Sequence, residues 1–149
     1  MSEVSVQTLS PEKVVSAVLR HLNREQIEDA IACFAVDCRY QDHGIGLEFR
    51  EKERLTEFFQ KARELYPDYF VRTDQMFVSG EHVITQWTLQ VTINEPFYAG
   101  LTRRIPLSIA GVSIVRIDNG KIAEWDDYYD GLTSRRTALA AHFTEWIDY

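Results

Sequence analysis

The chain has 149 residues, 45% of them apolar and 26% charged, a length that buries roughly two-thirds of its unfolded surface around one core. Its 16 Lys+Arg against 23 Asp+Glu leave a net charge of −7, which repels nucleic-acid phosphates and acidic membrane surfaces alike. No apolar run reaches the ~20 residues of a membrane span, and the opening MSEVSVQTLSPEK lacks the basic and apolar regions of a secretion signal, so a cytoplasmic protein is expected, with neither nucleic acid nor membrane as partner.

Residues 1–9 read as a disordered lead-in to a single domain spanning 1–149. Ser10-Pro11-Glu12 supplies an N-cap, a Pro at the first helical position and an acid in the first turn, opening a helix with Val14, Val15, Val18, Leu19 and Leu22 on one stripe. Asn23 and Gln26 form a capping-box pattern for a second helix carrying Ile27, Ile31 and Phe34. Cys33 and Cys38 have no second pair and no nearby His cluster, so they read as reduced structural thiols, not as a zinc site or a disulfide. The period then changes to two and places Cys38, Tyr40 and Asp42 on one strand face until Gly44 and Gly46 break it.

From Arg50 to Tyr66 the helical period returns, with a stripe of Leu55, Phe58, Phe59, Ala62 and Leu65 that Pro67 ends. Between Asp68 and about Asp130 the chain reads as an antiparallel meander, with turns at Ser79-Gly80 and Asp118-Asn119-Gly120. The run NEPFYAGLT (94–102) predicts a longer loop, with Phe97 and Tyr98 overhanging a pocket. Thr133 as N-cap, then Leu139, Phe143 and Trp146, predict a last helix.

The element order predicts an α+β domain in which three to four helices pack on the concave face of a curved antiparallel or mixed sheet. Such a cone has a deep apolar interior suited to a small hydrophobic ligand. The strand from Ile105 to Ile117 is apolar on both faces, with Leu107, Ile109 and Val115 on one side and Ala110, Val112 and Ile114 on the other. The face left without helices predicts a homodimer contact.

The order of elements, with FAVDCRYQDHGIGLEFREKERLTEFF (34–59) and SIAGVSIVRIDNGKIAEWDDYYDGL (108–132), resembles the nuclear transport factor 2-like superfamily and, within it, SnoaL-like polyketide cyclases. The stretch from Ser108 to Asp130 is also similar to limonene epoxide hydrolase. The resemblance implies a cystatin-like α+β barrel, and chemistry without metal or organic cofactor. The superfamily contains cyclases, isomerases, dehydratases and proteins that only bind ligands, so fold alone does not select among them.

In IAEWDDYYD the period of two puts Trp125, Asp127 and Tyr129 on one face and Glu124, Asp126, Tyr128 and Asp130 on the other. Two rings flanking a carboxylate on an inward face strip its water and raise its pKa, which suits Asp127 to general acid/base work. Its position also resembles that of the acid in epoxide hydrolase and SnoaL-type relatives. The competing reading is a structural carboxylate that caps a turn or pairs with an Arg.

Tyr40 and Asp42 share a face, and DHGI (42–45) is similar to the segment carrying the base of ketosteroid isomerases. Asp42 supplies either a second carboxylate across the cone or ordinary turn chemistry. Trp87 and Leu89 fall inward on the alternating strand HVITQWTLQVTI (82–93) and suit an apolar substrate wall or plain core. Limonene epoxide hydrolase has Arg and Asp at those two places, which weakens that activity here.

Trp125, Tyr129 and Ser108 complete the expected substrate contacts, with Ser113 as another possible hydrogen-bonding serine. His43 reads as rim, and His21, His82 and His142 as solvated. Arg103-Arg104 would meet an anionic ligand at the mouth or serve solubility. The expected function is cofactor-independent proton transfer (cyclisation, isomerisation or dehydration) on a polyketide- or terpenoid-like substrate. The alternative is a non-catalytic ligand-binding or dimerisation module.

Overall fold

A computed structural model describes residues 9–96 and 102–132. Helices α1 (Pro11–Asn23) and α2 (Ile27–Ala32) lead into strands β1 (Phe34–Asp42) and β2 (Leu47–Phe49). Helix α3 (Lys52–Leu65) follows, and then β3 (Phe70–Ser79), β4 (His82–Pro96), β5 (Thr102–Asp118) and β6 (Lys121–Tyr129). The six strands form one sheet in the order β2-β1-β6-β5-β4-β3. Neighbours pair antiparallel except β1 and β6, which run parallel.

The meander β3 to β6 is as the alternation predicts, and its tight turns follow turn chemistry. Asn119 and Gly120 both have positive φ (48° and 74°), the backbone that a two-residue hairpin of type I′ demands. Of the two expected arrangements, antiparallel or mixed, the pairing of β1 selects the mixed one. The returning strand β6 lies beside β1 in the same direction, which makes the sheet mixed. It is open rather than a closed barrel, because β2 and β3 remain as edges.

The helices cover one sheet face. Val14, Val15, Val18, Leu19 and Leu22 of α1, Ala30 and Ile31 of α2 and Leu55 and Phe59 of α3 pack against Val71, Val83, Val115, Ile122 and Trp125. Leu65, expected on the buried stripe of α3, is 56% exposed because it stands in the last turn beyond the sheet contact. Phe34 starts β1 and does not belong to the second helix.

The expected capping box at Asn23 and Gln26 is not made; α2 begins without a side-chain cap. Asn23 instead clamps the start of β3. Its Oδ1 accepts from the Val71 N–H and its Nδ2 donates to the Val71 carbonyl, both at 2.8 Å. Strand pairing continues to Pro96 and Thr102, so residues 94–96 and 102, expected in a loop, are strand, and 97–101 lie outside the described residues. Phe97, Tyr98, the last helix and residues 1–8 lie outside the described residues.

Candidate active site

The parallel pairing of β1 with β6 sets Tyr40 beside Trp125 and Asp42 beside Asp127, although 85 residues separate the two acids in sequence. Both carboxylates line a cavity of about 360 Å³ between sheet and helices. Its wall is mostly apolar and includes Trp87, Leu89, Leu107, Phe58 and Phe59.

Asp127 receives three side-chain donors. Ser113 Oγ and Trp125 Nε1 donate to Oδ1 at 2.5 and 2.6 Å, and the Tyr40 hydroxyl donates to Oδ2. Ser113 in turn accepts from Trp87 Nε1 at 2.8 Å, so a chain of hydrogen bonds runs from β4 through β5 to β6. No described Arg or Lys donates to Asp127. Burial pushes its carboxyl up to about 6 even though the three donors favour the anion, and the charge of Asp42 adds to the rise. Tyr40 is held well above the ordinary phenol range, by burial first and then by the adjacent Asp127. It therefore stays a donor.

Asp42, 6% exposed, combines the two roles that the sequence left open. Its Oδ1 accepts the Ile45 N–H at 3.1 Å, which is turn chemistry, and its Oδ2 accepts the Tyr129 hydroxyl at 3.0 Å at the cavity wall. Each strand thus supplies a carboxylate and a tyrosine that serves the other strand's carboxylate. Two close approaches depend on glycine. A Cβ on Gly44 would strike the Tyr129 ring, and one on Gly111 would strike the Trp87 ring.

The alternation on β6 separates two adjacent acids. Asp126 turns to the outer face, where Arg39 donates to it through both terminal nitrogens at 2.9 and 2.8 Å, and His43 Nε2 lies 2.9 Å away. Burial alone would raise the Asp126 carboxyl, but Arg39 and His43 outweigh it and hold the group below the usual range. The His43 ring stacks on Tyr128 with centroids 4.2 Å apart, away from the cavity as its strand parity predicts.

Tyr40, Asp42, Trp87, Leu89, Trp125, Asp127 and Tyr129 are therefore brought to one cavity. Ser108 is not. It lies exposed on the outer face of β5, and Ser113, of opposite parity, is the serine that points inward. Residue 113 falls in phase with Leu107, Ile109 and Val115, but a strand apolar on both faces does not show which phase is inward. Trp87 was legible as an inward ring but not as a hydrogen-bond donor.

Both cysteines are free, with burial pushing their thiols up. Among the described residues no cluster of three or more His, Cys, Asp or Glu has the arrangement of a metal site. No described helix is long and apolar enough to cross a membrane.

The same fold occurs in solved structures of low sequence identity. IdmH of Streptomyces antibioticus, a candidate polyketide cyclase, superposes with a TM-score of 0.76 at 17% identity, over 88% of this chain and 99% of its own. An epoxide hydrolase of the limonene type from M. tuberculosis gives 0.70 at 17%, over 93% and 96%. A protein with a ketosteroid isomerase-like fold from Catenulispora acidiphila, in complex with trimethylamine, gives 0.71 at 18%, over 81% and 88%. No curated protein matches the sequence. The SnoaL-like domain matches residues 15–125, a span that holds β1 to β5 whole and β6 as far as Trp125, and the chain belongs to that family.

Proposed function

We propose that the protein is an enzyme that moves protons on a neutral hydrophobic substrate of polyketide or terpenoid type, without a cofactor, with Asp127 as general acid/base. The observation that carries this reading is the state of Asp127: a carboxylate at the wall of an apolar cavity, raised to about 6 by burial, with only neutral side chains as donors. A base with a pKa just below the working pH is mostly ionised yet holds a transferred proton well.

The Asp127 carboxylate would take a proton from a carbon next to a carbonyl. The C–H electron pair would move into an enolate, and the proton would return at another atom. Cyclisation, isomerisation and dehydration share that step. The environment also favours chemistry over the structural reading, since among the described residues neither an Arg nor a backbone N–H saturates the Asp127 carboxylate. Trp87 and Leu89 stand where limonene epoxide hydrolase has Arg and Asp, which disfavours epoxide hydrolysis by that mechanism.

The test is exchange of the α-hydrogens of 2-acetylnaphthalene in D2O, followed by mass spectrometry. The protein is expected to accelerate exchange, and Asp127→Asn to slow it by about the 10²–10⁴ of a lost general base. An unchanged rate in Asp127→Asn removes the residue from the mechanism.

The proposal includes a homodimer through the outer sheet face. Phe77, Ile84 and Ile114 are 55%, 37% and 39% exposed there and sit side by side in register across β3, β4 and β5. Sedimentation equilibrium at micromolar concentration is expected to return twice the 17.3 kDa of one chain. A single-chain mass refutes the dimer.

A further inference from the structure

Three phenols near the carboxylates line the cavity: Tyr40, Tyr129 and Tyr69. The first two donate to Asp127 and Asp42. The Tyr69 hydroxyl has no partner among the described residues, although the rest of Tyr69 is firmly held. Its N–H donates to the Tyr66 carbonyl at 3.0 Å, its carbonyl accepts from Arg63 Nη1 at 2.7 Å, and the Arg63 guanidinium lies over its ring at 5.7 Å. The ring packs against both apolar clusters of the interior. The residue is only partly buried and lines the cavity, and a fixed donor there is ready to meet a ligand.

We infer that Tyr69 is a substrate-binding residue whose hydroxyl donates a hydrogen bond to the carbonyl oxygen of a neutral ketone-type ligand in the cavity that Asp127 and Asp42 also line. Burial, with the charge of Asp127 next, raises the Tyr69 phenol far above neutrality, so it remains a donor.

The ligand class follows from what the cavity lacks. Arg63 is the cation deepest in this wall, and its guanidinium is committed to the carbonyls of Tyr69, Leu22 and Asn23 and to Glu25. Among the described residues the other cation on this wall, Lys61, is 69% exposed beside Glu64, so an acid would meet two carboxylates with no buried cation to answer it, whereas a ketone meets a donor. The chemistry rests on the proton-transfer reading, because a donor on the carbonyl stabilises the enolate that Asp127 would generate. The binding contact can be tested without turnover.

Binding of 2-acetylnaphthalene, 2-ethylnaphthalene and 2-naphthoate is measured by fluorescence at pH 8, with the carbonyl stretch of the bound ketone read by infrared difference spectroscopy. Tyr69→Phe is expected to weaken the ketone roughly 3- to 10-fold, the worth of one neutral hydrogen bond, and to raise the carbonyl frequency. Binding of the hydrocarbon should not change. Tyr66→Phe, at the neighbouring wall position, should leave all three alone, and naphthoate should bind the wild type at least tenfold more weakly than the ketone.

Equal ketone affinity and frequency in wild type and Tyr69→Phe overturns the inference. So does a wild type that binds none of the probes, or the same loss in Tyr66→Phe; tight naphthoate binding overturns the ligand class. If Tyr69→Phe does not fold, Tyr69→Leu is read in the same way, and failing both, a wild-type carbonyl frequency equal to that in hexane overturns it. Loss of hydrogen exchange with the Tyr69 effect intact refutes the base and keeps the contact; the converse keeps the base and refutes the contact.

Discussion

Asp126 and Asp127 are chemically identical neighbours, and one strand residue of phase gives them opposite tasks. The outward acid meets Arg39 and is held ionised, while the inward acid meets indole, hydroxyl and phenol and keeps a proton to about pH 6. Neutral donors stabilise an anion less than a cation does, so desolvation wins at Asp127. If so, the donors tune the base as well as place it. Ser113→Ala removes one donor from the anion, and the rise of activity with pH, centred near 6 in the wild type, is expected to move upward. The substitution also leaves the Trp87 N–H unpaired in a buried site, a cost of about 1–3 kcal/mol visible in urea titration. A midpoint that stays put or falls would show that Ser113 does not govern Asp127.

At the scale of elements, the site exists because β1 and β6 lie side by side and in parallel. The sequence displayed each half well: the alternation that sets Tyr40 with Asp42, and Trp125 with Asp127 and Tyr129, is local and has period two. It could not display their pairing, since nothing in either segment encodes a partner 85 residues away. The serine on β5 was misread for a different reason. A strand apolar on both faces hides its phase, so Ser108 and Ser113 looked equivalent although five positions, an odd number, separate them. Asn23 was misread because a capping pattern is a local preference that a tertiary contact can outbid, here the two bonds to Val71.

Strand β5 also carries a steric requirement. Gly111 lies under the Trp87 ring, so Gly111→Ala must displace the indole that feeds Ser113. A loss of about 1–3 kcal/mol, the usual cost of overpacking, is expected, together with the same upward shift in the pH midpoint as Ser113→Ala. A stability loss with no change in the pH profile would separate the packing of Trp87 from its hydrogen bond.

For the whole molecule, a site tuned in this way leaves a signature in folding. The Asp127 carboxyl has an ordinary pKa near 3.9 in an unfolded chain and one of about 6 in the fold. Between those values the native state binds the extra proton. Stability contributed by that proton is therefore fully present below about pH 4 and is lost as pH rises through 6. Two units correspond to about 3 kcal/mol, a sizeable part of what holds a domain of this size together. Other groups superimpose their own trends; Asp126, lowered by Arg39 and His43, stabilises the fold as pH rises and works against the Asp127 effect. The comparison that isolates Asp127 is the difference between wild type and Asp127→Asn, since the amide keeps the shape and cannot titrate. Measured by urea unfolding at several pH values, the wild type is expected to lose about 2 kcal/mol relative to Asp127→Asn between pH 4 and 7. A flat difference across that range would mean that the carboxyl titrates normally in the fold, and the argument for Asp127 as a base poised near neutrality would fall with it.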